Sequence, residues 1–317
     1  MKSIFSTFVF LVGCIVVLES YKINDDLNAE LLLDTKSMLG EGSLWHPKEK
    51  KLYWVDIEGK LLHVYDPESR KDVQFDVGSR IGTVVPVKKG GALVALQNGI
   101  HKIDTKTGKL TFITAPFSDT SLRFNDGKCD PSGRFWVGTL AMDRRKKGAV
   151  LYRMDRDGTI HLMLDSVTIS NGIVWTADKK TMYYNDTPTL TVQAFDYDDK
   201  TGVITNRRVV ITFPRGQGAP DGMTIDTEGK LWIALWGSGT VGRYDPITGE
   251  RLQTIKVPAP NVSSCAFGGK NLEILYITTA RTGVKPEKLL EFPLSGGLFA
   301  VKPGARGVPA FFYQGNK

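Results

Sequence analysis

Residues 123–139 read RFNDGKCDPSGRFWVGT, and this stretch decides the fold. It opens as an apolar strand whose start carries three polar residues, Arg123, Asn125 and Asp126. A Pro-Ser-Gly turn follows, and Pro and Gly are residues that fix tight turns. The returning segment, FWVGT, is rich in aromatic and β-branched residues, which suit a pleated, half-buried strand. The stretch therefore predicts a β-hairpin with its chemically active groups at one end.

Two later segments have the same construction, so the chain repeats itself. SNGIVWTADKKTMYYND begins at Ser170, and PDGMTIDTEGKLWIALW begins at Pro220. Comparable units begin near Glu41, Gly82 and Val262, which gives a period of about 40 to 50 residues. Recurring aromatic residues, Asp and Gly mark two further strands in most units. We therefore predict an all-β fold, a six-bladed β-propeller with four-stranded antiparallel blades around a central metal site.

Helical and sandwich folds do not fit this pattern. After the first twenty residues no segment keeps a 3.6-residue apolar period for three turns, and a two-sheet sandwich would lack the fixed period. Two ways of closing the ring remain open. The closing blade combines the N-terminal strand near residues 29–34 with the strands after Val262, or it takes its outer strand from the tail GGLFAVKPGARGVPAFFYQ.

Composition excludes several classes of protein. The chain has 317 residues, of which 41% are hydrophobic and 24% are charged, a globular profile without low-complexity tracts. The net charge of +7 could suggest a polyanion partner, but the basic residues are scattered, with clusters only at 144–147 and 207–208. Nothing resembles a recognition helix, an RNA-binding signature or a zinc finger, so no nucleic-acid partner is expected.

The N-terminus predicts export. Residues 1–20, MKSIFSTFVFLVGCIVVLES, have an early Lys, an apolar run and a small residue at the end, as secretory signal peptides do. The apolar run of about fifteen residues is short for a membrane anchor, which needs roughly 20. We expect residues 21–317 to form one secreted domain that does not enter the membrane. A propeller closes on itself, so we expect a monomer.

Export gives meaning to two other features. Cys129 and Cys265 would remain after signal cleavage, and we expect both to be free, buried thiols. Asn185 and Asn261 match the N-glycosylation pattern. Asn261 directly precedes a predicted inner strand, so Asn185 is expected to be the less hindered of the two.

The period also predicts a site. Inner strands of a propeller line one channel, so residues at their equivalent starts converge. These residues are Glu41, Asn125 with Asp126, Asn171 and Asp221. Carboxylate and amide oxygens are hard donors that suit Ca²⁺, Mg²⁺, Mn²⁺ or Zn²⁺. Each residue alone is as consistent with a turn former, but four polar residues at equivalent positions in separate repeats favour a site.

These motifs resemble a known family. GEGSLW, RFNDGKCDPSGRFWVGT, ISNGIVW, PDGMTIDTEGKLWIA and SSCAFGG are similar to motifs of the regucalcin, gluconolactonase and luciferin-regenerating-enzyme family. The resemblance covers about residues 29–315. It implies a six-bladed propeller and a divalent-metal lactonase, a carboxylic ester hydrolase that acts on sugar lactones such as gluconolactone.

The resemblance also implies roles for individual residues. Glu41, Asn171 and Asp221 match the metal ligands of the family. Arg123 and Asn125 match residues that contact sugar hydroxyls. The resemblance further assigns Asp126 to a polar position of the same motif and Asp143 to an acidic substrate contact. After Asp143 this chain departs from the family, because a short basic run, RRKKG, replaces a longer loop.

The mechanism expected from these roles is hydrolysis of an ester within a ring. One divalent metal ion would polarise the lactone carbonyl, and Asp221 is the candidate general base. Three alternatives remain open: a calcium-binding regulatory protein without catalysis, an arylesterase-like hydrolase on the same scaffold, and a secreted protein that has lost activity. No G-x-S-x-G motif favours a serine nucleophile.

Overall fold

A computed structural model describes residues 26–315. The predicted signal peptide, residues 1–20, lies outside the described residues. The described part of the chain is mainly β-strand, which confirms the predicted all-β class. Its two helical segments are one turn of 3-10 helix (Thr187–Thr189) and the short helix α1 (Pro286–Glu291). Neither has the length and apolar character needed to cross a membrane.

Two short strands come first, β1 (Asp26–Asn28) and β2 (Glu30–Leu33). Four consecutive four-stranded antiparallel sheets follow. The first contains β3 (Gly40–His46), β4 (Lys51–Asp56), β5 (Leu61–Asp66) and β6 (Lys71–Asp76). The second contains β7 (Ile81–Pro86), β8 (Ala92–Leu96), β9 (Gly99–Ile103) and β10 (Leu110–Thr114). The third contains β11 (Leu122–Cys129), β12 (Phe135–Ala141), β13 (Ala149–Met154) and β14 (Ile160–Val167). The fourth contains β15 (Ser170–Trp175), β16 (Thr181–Asp186), β17 (Thr191–Tyr197) and β18 (Ile204–Thr212).

The remaining strands join β1 and β2 in a nine-stranded sheet. They are β19 (Ala219–Ile225), β20 (Leu231–Trp236), β21 (Thr240–Tyr244), β22 (Arg251–Lys256), β23 (Asn261–Gly268), β24 (Ile274–Ala280) and β25 (Leu298–Val301). Within this sheet β19 to β22 pair in sequence, and β23, β24, β25 and β2 form a second run of four. One residue pair, Trp236 with Asn261, connects the two runs.

Each four-stranded sheet, like each of these two halves of the large sheet, is a run of four strands. The first strands of the runs pack against one another in a cycle. Strand β3 contacts β7, which contacts β11, and the contacts continue through β15, β19 and β23 back to β3. Strand β3 is buried along its whole length, and β7, β15 and β23 are too. Several four-stranded antiparallel sheets with their first strands in a cycle are consistent with a β-propeller. The cycle brings residues from distant repeats to one place.

Both segments considered for closing the ring take part in it. Strand β25, from the C-terminal tail, pairs with β24, and the N-terminal strand β2 pairs antiparallel with β25 as the outer strand. Strand β1 pairs in parallel with β22 of the neighbouring run. The N-terminal strands therefore connect the beginning of the chain to its last two runs.

A buried carboxylate fixes the hairpin of residues 123–139. Asp130 accepts hydrogen bonds from the Arg134 side chain at 2.6 Å, from the Trp136 indole at 2.9 Å and from the Tyr197 hydroxyl at 2.8 Å. A buried charge is tolerated when its partners are all present. Asp226 accepts a hydrogen bond from the indole of Trp232, which likewise lies six residues later in the chain. Two hairpins therefore share this arrangement.

Cys129 and Cys265 are buried and unpaired, as predicted. The expectation for the glycosylation sites is wrong in one respect. Asn185 is 0% exposed and Asn261 is 5% exposed, so Asn185 is not the less hindered residue. Both side-chain amides donate hydrogen bonds to backbone carbonyls, of Asp221 and Thr282 respectively.

Candidate active site

A register shift interrupts the first strand of each run near the predicted site residues. In β3 the shift follows Glu41, in β11 it spans Asn125 and Asp126, in β15 it spans Asn171, and in β19 it spans Asp221. Such β-bulges re-aim side chains and are common beside active sites. The repeats therefore bring the polar residues together by a shared irregularity as well as by period.

Glu41 and Asp221 lie at the centre of the cluster. Burial, and next the negative charges of Asp221 and Asp126, raises the pKa of Glu41 well above its usual range. Burial, and next the charge of Asp126, also raises the pKa of Asp221. The side chains of Glu41 and Asn171 are both within hydrogen-bonding reach of the Asp221 carboxyl. Three buried acids thus lie close together, and the buried amine of Lys128 offsets only part of their negative charge.

The donor atoms fit a hard divalent cation. Asp221 Oδ1 and Asn171 Oδ1 are buried oxygens without a hydrogen-bond partner. Buried polar atoms are seldom left unpaired, and an ion is one explanation of such exceptions. Within residues 26–315 no three His, Cys, Asp or Glu side chains form a group that could hold a metal. The predicted set is not of that kind, because Asn171 supplies its third donor.

A cavity of about 230 Å³ opens beside these donors. The polar side chains that line it are Glu41, Arg123, Asn125, Arg144, Asn171, Thr187, Asp221 and Thr282. Leu39, Leu140, Ile169 and Trp236 supply its apolar wall. All three predicted metal ligands and two of the predicted substrate residues thus face one space.

Arg123 and Asn125 hold each other in the wall of this cavity. The Arg123 guanidinium donates hydrogen bonds to Asn125 Oδ1 at 2.7 Å and to the Phe124 carbonyl at 2.8 Å. Asn125 in turn donates to the carbonyl of Ser170 at 2.7 Å, in the next run. Burial, and next the positive charge of Arg144, lowers the pKa of Arg123 to about 10. Arg123 remains a cation at neutral pH.

The structure does not bring Asp126 or Asp143 into the cavity wall. Asp126 is buried, and its Oδ1 accepts the Gly127 N–H at 2.7 Å. Its charge acts on Glu41, Asp221 and the amine of Lys128. Asp126 thus contributes charge to the cluster and does not line the space for substrate.

Asp143 is exposed and belongs to a surface turn. It accepts hydrogen bonds from the Arg145 guanidinium at 3.0 Å and from the Arg145 N–H at 3.1 Å. This turn directs Asp143 to its own loop, and the next residue, Arg144, lines the cavity. The prediction placed an acidic substrate contact at Asp143, whereas the side chain that lines the cavity here is that of the basic Arg144.

Comparison with known proteins identifies the family. The family described as the SMP-30/gluconolactonase/LRE-like region matches residues 39–281, most of the chain. The chain belongs to this family.

Individual relatives of the SMP-30/gluconolactonase family match over nearly their whole length. YvrE of Bacillus subtilis, whose name provisionally describes a sugar lactone lactonase, is 39% identical over 92% of this chain and 100% of its own length. Regucalcin of Danio rerio is 38% identical over 91% of this chain and 99% of its own. The crystal structure of a calcium-binding protein, regucalcin from Agrobacterium tumefaciens, superimposes with a TM-score of 0.87 at 27% identity. It covers 92% of this chain and 98% of that one.

Two further residues support the site in this SMP-30/gluconolactonase family member. Asn185 donates from Nδ2 to the Asp221 carbonyl at 2.8 Å. Thr187 donates to the Pro220 carbonyl at 2.8 Å and accepts from Asn171 at 3.0 Å. From the sequence, Asn185 was assigned only to an N-glycosylation pattern. Asn185 lies near the end of β16, the strand that pairs with β15, and this position indicates a role in the site.

Proposed function

We propose that this protein is a divalent-metal-dependent lactonase that hydrolyses sugar lactones. The observation that carries the proposal is the meeting of Glu41, Asn171 and Asp221 beside a cavity walled by Arg123 and Asn125, with an unpaired oxygen on Asn171 and another on Asp221. Membership of the SMP-30/gluconolactonase family and the similarity to YvrE support this activity. The proposed architecture is one domain of six blades, residues 21–317, acting as a monomer.

Glu41, Asn171 and Asp221 would hold the metal ion. When bound, the ion would supply a Lewis acid for the lactone carbonyl. Asp221 would accept a proton from the attacking water through a carboxylate oxygen that is not used to hold the ion. As the ring opens, Asp221 would return this proton to the departing ring oxygen, which yields a hydroxy acid. Arg123 and Asn125 would orient the ring by hydrogen bonds, which places the carbonyl over the carboxylates.

The test is hydrolysis of D-glucono-1,5-lactone by the metal-stripped mature protein. Proton release is followed at constant pH while Ca²⁺, Mg²⁺, Mn²⁺ or Zn²⁺ is added back singly. We expect no turnover above the spontaneous rate without metal and recovery with at least one ion. Asp221→Ala should abolish ion binding and hydrolysis together. Asp196→Ala, at an exposed carboxylate on an outer hairpin, is the matched control and should change neither.

A second candidate is a calcium-binding protein without catalysis. The similarity to a regucalcin described as calcium-binding favours it, and the same donors would serve. Calcium binding measured by calorimetry, without lactone turnover under any metal, would establish this second function and reject the first. Turnover that survives complete removal of metal would reject the proposed mechanism.

Export is also proposed, from the first twenty residues. Expression of the full chain in eukaryotic cells should release a protein into the medium whose N-terminus lies near Tyr21. Retention in the cell with an intact Met1 would overturn this proposal.

A further inference from the structure

We propose that the lactonase site prefers sugar lactones that carry a carboxylate remote from the lactone carbonyl, and that Arg144 selects for that group. This inference rests on the proposed lactonase function and adds a class of substrate to it. It comes from the charges in the cavity wall, which the residues of this chain leave unbalanced.

Arg123 is the first unbalanced charge. Three arginines of the described chain are buried, namely Arg123, Arg134 and Arg153. Arg134 pairs with Asp130 at 2.6 Å, and Arg153 pairs with Asp155 at 2.7 Å. Arg123 donates only to a carbonyl and to an amide oxygen, and no carboxylate of residues 26–315 forms an ion pair with it. A buried charge is costly unless it is paired, so a ligand anion would supply what the fold does not.

Arg144 is the second unbalanced charge. It lines the same cavity, and its side chain makes neither a hydrogen bond nor an ion pair within the described part of the chain. The acids around it are already paired. Asp143 and Asp119 bind Arg145 at 3.0 and 3.3 Å, and Glu58 binds Arg80 at 2.8 Å. Among the described residues no carboxylate forms an ion pair with Arg144, whose side chain is exposed.

The two guanidinium groups also act on each other. Among charged residues Arg144 has the strongest effect on Arg123, and the effect is repulsive. An anion between the two groups would replace repulsion with two attractions. A planar carboxylate matches the fork of a guanidinium in two parallel hydrogen bonds.

The charges of the cavity wall set the orientation of the substrate. A divalent ion held by Glu41, Asn171 and Asp221 would offset the charges of these two carboxylates, so Arg123 and Arg144 are the unbalanced charges that line the cavity. They attract the substrate carboxylate. A lactone with its carboxylate at Arg144 therefore presents its other end to Glu41, Asn171 and Asp221.

The experiment uses two lactones that differ only at the sixth carbon. D-glucaro-1,4-lactone carries a carboxylate there, and D-glucono-1,4-lactone carries a hydroxymethyl group. We expect kcat/KM of the holoenzyme to be about tenfold higher for the carboxylate form at low salt, since hydrogen bonds between charged groups commonly contribute about this factor. In Arg144→Gln the ratio of the two kcat/KM values should fall to about one, and Arg144→Lys should retain part of it.

Lys146→Gln is the control. It removes the same charge from the same loop at an exposed residue outside the cavity wall, so the ratio should stay within about twofold of the native value. Raising the salt concentration should reduce the native preference, because screening weakens attraction between exposed charges. Equal kcat/KM for the two lactones in the native protein, or an unchanged ratio in Arg144→Gln, overturns this inference and leaves the lactonase intact. Absence of turnover with both of these lactones and with D-glucono-1,5-lactone overturns the proposed function, and this inference with it, whereas turnover of D-glucono-1,5-lactone alone overturns only this inference.

Discussion

Asn185 shows how much a site depends on residues that never touch the substrate. Its amide holds the carbonyl of Asp221, and both groups are buried. Asn185→Ala leaves that carbonyl without its donor, which costs about 1–3 kcal/mol of stability. It also frees the Asp221 backbone, so affinity for the divalent ion should fall. Urea unfolding and calorimetric titration measure the two effects. Gln74→Ala, which removes an exposed amide bonded to Asp72, should alter neither, and equal losses in both variants would refute the positioning role.

His46 gives a prediction about pH at a distance from the acidic cluster. It is 4% exposed, and its Nδ1 accepts a hydrogen bond from the Glu49 N–H at 3.0 Å. Burial lowers the pKa of His46, although the negative charge of Glu49 acts in the opposite direction. The folded state keeps His46 neutral, whereas the unfolded chain takes up a proton below about pH 6.5. Stability is therefore lost as pH falls below about 6.5. Unfolding in urea at pH 7.5 and 5.5 should show a larger loss for the native protein than for His46→Gln. An identical loss of stability in both proteins would contradict this prediction.

At the scale of single strands, the glycines after Asn171 and Asp221 allow neighbouring first strands to approach closely. A Cβ on Gly172 would lie 2.6 Å from the Asp221 carbonyl and 2.7 Å from Asn185 Nδ2. Gly172→Ala should therefore cost about 1–3 kcal/mol, as overpacking does, and should displace Asp221. Unfolding in urea and ion binding measure both effects. Gly78→Asn is the control, because Gly78 has open space around it and Asn tolerates its φ of 70°. An unchanged Gly172→Ala protein would show that the strands are not in close contact here.

At the scale of the whole molecule, the period of the sequence was sufficient to predict which distant residues meet. Glu41, Asn171 and Asp221 occupy equivalent strand starts, and a cyclic fold brings equivalent positions together. Period says nothing about loops. Asp143 was assigned to the cavity, but a local pair with Arg145 and the left-handed conformation of Arg144 reverse which side chain faces inward. Such loop geometry depends on side-chain contacts that differ from one repeat to the next, so the period of the sequence does not predict it.

Ring closure is the remaining property of the whole molecule, and it gives the last prediction. Strand β2 pairs with β25. The segment after β2 adds a further contact, because the Thr35 hydroxyl donates a hydrogen bond to the Gly296 carbonyl at 2.8 Å. A chain that starts at Thr35 lacks β1 and β2 but keeps every site residue. It loses two short ladders and the partly buried Leu27 and Leu33, a cost of about 3–5 kcal/mol. Urea unfolding of this chain and of residues 21–317 measures that cost. Because the first strands form one cycle, lactone turnover and tryptophan fluorescence should be lost at a single, lower urea concentration. Separate transitions for the two signals would mean that the sheets do not unfold as one unit.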